Sequence, residues 1–219
     1  PFFDAMGASL PSRSIGGDFF EYIDTDDGAI GVVLGDVAGK GPAAALLTAK
    51  IQGLFSAQVG GTSPAAAMRL VNTGLLKRQV DARYATVFFA TLLPDGALAY
   101  CNAGHNPPIV VGPAGVRSLT GSGMPVGLFT GATYADEYTS LEPGDVLVVY
   151  SDGVTEALNS AGEEYGDDRL AEVAMAHRAE PLDEFLQRII TSVQAFARGA
   201  SQSDDVTVLV VRYLGPPAG

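Results

Sequence analysis

Apolar residues along this chain gather in short, nearly unbroken runs separated by Gly, Pro and Asp. Ala29–Val37 (AIGVVLGDV), Asp145–Ser151 (DVLVVYS) and Val206–Tyr213 (VTVLVVRY) are too short for ordinary helices and predict buried strands. Phe19–Asp24, Ala85–Leu93, Ala97–Asn102, Ile109–Val111, Val116–Leu119 and Tyr134–Leu141 predict further strands. The turns between them carry the usual residues: Asp26-Asp27-Gly28, Pro94-Asp95-Gly96, Pro113-Ala114-Gly115 and Glu142-Pro143-Gly144. Pro42 opens an Ala/Leu-rich helix to about Gln58, and Ser63-Pro64 caps a second that runs to about Val80. Asp167–His177 and Leu182–Arg198 predict two more helices, the last stopped by Gly199. Meanders of strands interrupted by helix pairs, without regular βαβ alternation, predict an α+β layered sandwich.

Composition narrows the classes. Of 219 residues, 47% are hydrophobic and 17% charged, enough for a sizeable core and too apolar for wholesale disorder. Each Gly/Pro cluster is a short turn, so residues 1–219 are expected to form a single domain. The first residue is Pro1, and the domain is expected to be cut from a longer protein. Thirteen Lys and Arg face 25 Asp and Glu, a net charge of −12. That balance argues against nucleic-acid binding and against contact with an anionic membrane. One cysteine, Cys101, excludes an intrachain disulfide and fits a reducing, cytoplasmic setting.

The acidic surplus has a pattern. Asp18 follows Gly16-Gly17, Asp36 ends VVLGDV, Asp152 follows LVVYS, and Asp204-Asp205 precede VTVLVV. Each lies at the end of a strongly apolar strand, where a lone carboxylate is costly unless paired, hydrogen-bonded or bound to a cation. Asp beside Gly is commonly a turn or cap residue, and Asp95 and Asp26-Asp27 are read so. Oxygen-only ligands favour Mg²⁺ or Mn²⁺ over Zn²⁺.

Five ordered blocks carry a resemblance: GGDFFEY (16–22), GDVAGKGPAAALLTA (35–49), NAGHNPP (102–108), YSDGVTEALN (150–159) and SDDVTVLVV (203–211). Together they resemble the SpoIIE-like, sigma-factor-regulating branch of the metal-dependent type 2C serine/threonine protein phosphatases. The resemblance implies an α-β-β-α sandwich of two antiparallel sheets flanked by helix pairs, with two Mn²⁺ or Mg²⁺ ions between the sheets. It implies that Asp36 bridges both ions, that the Val37 carbonyl, Asp152 and Asp204 are ligands, and that Asp18 binds directly or through water. Asp205 falls where many relatives carry Asn, so its change to Asn is expected to be mild. Arg13 falls where the wider superfamily places a phosphate-binding arginine; a solvated loop arginine is the other reading.

The resemblance further implies hydrolysis of phosphoserine or phosphothreonine on a phosphoprotein partner, an anti-sigma-factor antagonist, by a metal-activated water. It also implies an upstream sensor domain in the same chain. The first predicted helix follows the Asp36 block directly, so its movement would shift Asp36 and Val37. Departures are visible. Ala38 replaces the histidine often given the role of general acid, Gly17 replaces a glutamate ligand, and His105-Asn106 fall where a third metal site often has an aspartate. A catalytically weak binding or scaffold module is therefore the alternative function. Other motifs fail on spacing: GDVAGKG is one residue short of a phosphate-binding loop, and Ser151 lacks a nucleophile elbow.

Overall fold

A computed structural model describes residues 1–12, 16–25, 28–58, 62–77, 84–121 and 123–217. Its strands form two five-stranded antiparallel sheets. One sheet runs, in spatial order, β1 (Phe3–Leu10), β10 (Val206–Tyr213), β9 (Val146–Tyr150), β6 (Ile109–Gly112) and β7 (Gly115–Ser118). The other runs β2 (Asp18–Asp24), β3 (Ile30–Val37), β4 (Ala85–Leu92), β5 (Ala97–Ala103) and β8 (Glu137–Ser140). Helices α1 (Pro42–Gln58) and α2 (Pro64–Leu76) cover the β2–β8 sheet. Helices α4 (Gly166–His177) and α5 (Leu182–Phe196) cover the other, and a single turn, α3 (Asp152–Thr155), follows β9. This is the expected α-β-β-α sandwich.

The apolar runs follow from this layering. In β3, Ile30, Val32 and Leu34 face the opposite sheet with Leu209, Val211 and Tyr213. Val33 and Val37 face the helices, with Ile51, Phe55 and Met68. In β10, Val206, Val208 and Val210 turn to Phe185 and Ile189 of α5, while Leu209 and Val211 enter the inter-sheet core. Side chains alternate between faces, but both faces are buried, so the sequence shows a continuous run instead of alternation. Burying each such side chain contributes about 1.5–3 kcal/mol.

Local signals agree with the elements. Ser63 Oγ accepts from Ala66 N at 3.4 Å with Pro64 at the first helical position. Asp167 and Asp168 open α4, and Asp183 and Glu184 open α5, where carboxylates complement the helix dipole. Two differences stand out. Strand β1 was not expected; its burial is only partial, as befits a sheet edge. Of Tyr134–Leu141 only Glu137–Ser140 forms the strand, because the residues before it are tied to α2: an Arg69 guanidinium N–H donates to Tyr134 O at 3.1 Å and Ala65 N to Asp136 Oδ1 at 2.7 Å. Residues 78–80 of the second predicted helix and Asp26-Asp27 of the first turn lie outside the described residues. No helix among the described residues is long and apolar enough to cross a membrane.

Candidate active site

Strands β2 and β3 pair so that Asp18 stands opposite Asp36. Opposed residues share a face, and Asp36 has the parity of Ile30, Val32 and Leu34, which look toward the other sheet. That sheet supplies the remaining acids. Asp152 opens α3 directly after β9, and Asp204 lies two residues before β10. Asp36 feels the charges of Asp152, Asp204 and Asp205, and Asp18 those of Asp36 and Asp205. The structure therefore brings Asp18, Asp36, Asp152 and Asp204 together across the two sheets.

Their electrostatics are strained. Burial, and then the neighbouring carboxylates, push Asp18 up from the ordinary 3.8 to about 8, against hydrogen bonding from Thr207 and Ser151. Asp36 is pushed to about 6 by burial and by Asp152 and Asp204, with a hydrogen bond to Asp18 working the other way. Asp152 is raised by burial and then by Asp204. Oδ2 of Asp18 is buried without a hydrogen-bond partner.

Asp205 plays another part. It is 4% exposed, and its Oδ1 accepts from Ser12 N (2.7 Å) and Ser12 Oγ (3.0 Å) while Oδ2 accepts from Gly17 N (2.9 Å). Its main-chain carbonyl takes Ser151 Oγ at 3.1 Å, and Ser151 Oγ accepts from Thr207 N at 3.0 Å. The glycine of the Ser-Asp-Gly block follows from this packing, since a Cβ on Gly153 would collide with that carbonyl. Gly17 O in turn accepts from Val37 N (3.3 Å) and Thr48 Oγ1 of α1 (3.2 Å). Asp205 thus fixes the segments that carry Asp18, Val37 and Asp152. The resemblance sets Asp204 apart as the ligand, but the bonds of Asp205 to Ser12 and Gly17, distant in the chain, carry no signal in the sequence.

Two further placements matter. Lys40, in the loop after β3, has its Nζ 3.1 Å from Asp204 Oδ1. His105 is buried, with Nδ1 3.0 Å from Oγ1 of Thr86, the cross-strand partner of Asp36. Its main chain is bracketed by Asn102 through bonds of 2.7 and 3.0 Å. Burial pushes His105 down from 6.5 to about 4, so it is neutral near pH 7 and poorly suited as an acid. Arg13 lies outside the described residues.

The donor set fits a hard divalent cation: four acidic side chains and a main-chain carbonyl, repelling one another, with an unpartnered buried carboxylate oxygen. Gly17 packs tightly against these donors: a Cβ there would lie 2.7 Å from Val37 O and 2.9 Å from Asp36 Oδ1, too close to be taken without movement. The set is splayed. Among the described residues no three His, Cys, Asp or Glu side chains are close enough to hold an ion in their present positions.

The chain has relatives among known proteins. Residues 26–214 match the family Stage II sporulation protein E (SpoIIE). The chain is similar to Protein IcfG of Synechocystis sp., 30% identical over 92% of this chain and 36% of that protein. It is similar to phosphoserine phosphatase RsbU of Bacillus subtilis, 28% identical over 95% of this chain and 63% of that protein. It therefore spans less than two thirds of either relative. The crystal structure of the RsbU and RsbW domains of Rv1364c from Mycobacterium tuberculosis matches with a TM-score of 0.84 at 26% identity, over 99% of this chain and 61% of that one. With its sheet order and its sequence blocks in agreement, the chain belongs to the Stage II sporulation protein E (SpoIIE) family.

Proposed function

We propose that this chain is the catalytic domain of a divalent-metal-dependent protein phosphatase. Its substrate is phosphoserine or phosphothreonine on a cytoplasmic signalling protein of the anti-sigma-factor-antagonist type. The observation that carries the reading is the convergence of Asp18, Asp36, Asp152 and Asp204 from both sheets. These carboxylates and the Val37 carbonyl would hold two Mn²⁺ or Mg²⁺ ions. Bound there, the ions supply charge neutralisation for a phosphoryl group and activate a water for in-line attack on phosphorus.

The chain's own residues do the rest. Asp36 stands opposite Asp18 across the strand pair and feels the charges of Asp152 and Asp204 from the other sheet, which suits it to the part of a shared ligand. Asp205 keeps the acid-bearing segments in register with one another. Arg13 is the proposed phosphate ligand. Neither Ala38 nor His105 stands in for the family histidine: Ala38 has no proton to give, and His105 is buried and uncharged. The leaving alkoxide must take its proton from solvent or from the partner protein. Thr48 links α1 to Gly17 and so to Val37, a route by which an upstream sensor domain would act on the site.

A weakly active binding module is the second reading, favoured by Gly17 and by the splayed acids. Mn²⁺-dependent hydrolysis of p-nitrophenyl phosphate and of a phosphoserine protein separates the two. Activity should vanish in EDTA and fall at least about 100-fold in Asp36→Asn, a loss of the size that removal of a key transition-state group causes. Asp36→Asn with near-wild-type turnover refutes the phosphatase assignment of these residues.

A further inference from the structure

Lys40 lies in the loop between β3 and α1, flanked by Gly39 and Gly41 at φ of 98° and 88°. Its Nζ reaches across the site to the segment that leads into β10. There it lies 3.1 Å from Asp204 Oδ1 and donates to Ser203 O at 2.7 Å. The same Asp204 oxygen accepts from Asp205 N at 2.9 Å. Lys40 also acts on Asp152, drawing its carboxyl down while burial, Asp204 and Asp205 raise it. The other charges bearing on Asp36, those of Asp152, Asp204 and Asp205, and on Asp152, those of Asp204 and Asp205, come from carboxylates. The ion pair is not sealed: the side chains are 31% and 44% exposed.

We propose that Lys40 is a tethered counter-cation that holds Asp204 until a divalent ion displaces it, so that its ammonium sets the metal concentration at which the site fills. The inference rests on the proposed function, in taking Asp204 as a metal-holding carboxylate. Ammonium and metal ion compete for one oxygen. The lysine is held beside it by the chain and by Ser203 O, which gives a single positive charge a high local concentration. The divalent ion brings twice the charge and enters from solution. An alternative role, a clamp that pre-positions Asp204 for metal, makes the opposite prediction: loss of Lys40 would weaken metal binding.

The test is Mn²⁺ titration by isothermal calorimetry on the 219-residue chain, without substrate, for wild type, Lys40→Met, Lys40→Gln, Lys40→Arg, Asp204→Asn and the double variant Lys40→Met with Asp204→Asn. Exposed ion pairs have measured strengths that translate to an effect of roughly two- to fivefold, so Lys40→Met should bind Mn²⁺ tighter by about that factor. Lys40→Arg should stay near wild type, and Lys40→Gln should repeat the result of Lys40→Met. In an Asp204→Asn background Lys40→Met should add little, and the gain in the wild-type background should shrink at high salt. Unchanged or weaker affinity in Lys40→Met overturns the inference alone. So does a full gain that persists with Asp204→Asn. Absence of Mn²⁺ binding in every protein overturns the proposed function and the inference together.

Discussion

Adjacent acids with opposite roles make the sharpest test of the site. Asp205→Ala removes three hydrogen bonds to a buried carboxylate: those from Ser12 N, Ser12 Oγ and Gly17 N. Bonds to a charged group contribute about 1.5–3 kcal/mol each, and stranding the buried Gly17 N–H adds its own cost. Removing one negative charge relieves Asp18, Asp36 and Asp152, which offsets part of this. A net loss of about 3–5 kcal/mol follows, which for a domain of this size lowers Tm by roughly 6–20 °C. Asp204→Ala breaks a half-exposed ion pair and the bond from Asp205 N, at a combined cost of about 0.5–2.5 kcal/mol. Asp205→Asn falls between. Its amide must turn a donor toward a main-chain N–H, because both oxygens of Asp205 accept, so the change is not the mild one its sequence position suggests. Thermal unfolding in EDTA measures all three. If Asp205→Ala shifts Tm no more than Asp204→Ala does, the scaffolding role of Asp205 is wrong.

Three other outcomes are expected. Asp18 and Asp36 titrate at about 8 and about 6 in the folded chain against an ordinary 3.8, so between those values the folded state holds protons that the unfolded state has released. Metal-free stability should therefore fall as pH rises from about 4 to about 8, and Mn²⁺ should restore it; urea titrations across that range that show a flat or rising trend in EDTA would contradict this. His105 works in the other direction: its folded value of about 4 lies below 6.5, so its contribution is lost as pH falls through that window. Because it is no acid, His105→Gln should leave the slope of log kcat against leaving-group pKa unchanged for aryl phosphates, whatever it does to the rate. Gly153→Ala drives a methyl group into the Asp205 carbonyl and should cost about 1–3 kcal/mol in thermal unfolding, with loss of turnover because Asp152 moves with it.

How much was legible beforehand varies by element. Strands β3, β9 and β10 were plain because both their faces are buried, so their apolar runs have no competing helical period. Strand β1 was not, since FDAMGASL is half-buried at a sheet edge and is held there by pairing with β10, about 200 residues away. The acids at strand ends could be found because four of them share one local context. The Lys40–Asp204 pair could not, because nothing local joins a loop after β3 to the approach to β10. Nor could the part that Asp205 plays, which depends on its side chain pointing toward Ser12 and Gly17.

The two buried faces of β3 have a consequence for folding as well as for chemistry. A strand with one oily face and one wet face has its pairing fixed by the hydrophobic effect, because a slip of one position exposes every apolar side chain. In β3 a slip would exchange Ile30, Val32 and Leu34 for Gly31, Val33 and Gly35, two sets that differ in bulk but are alike in lacking polar groups. What such a slip could not tolerate is Asp36, which would turn from its carboxylate neighbours into the layer of Ile51, Phe55 and Met68 beneath α1 and α2. An uncompensated charge there costs far more than a few misplaced methyl groups. The aspartate that marks the site therefore also marks the alignment of the strand that carries it, and replacing it with an aliphatic residue should produce mispaired, aggregation-prone chains in addition to inactive ones.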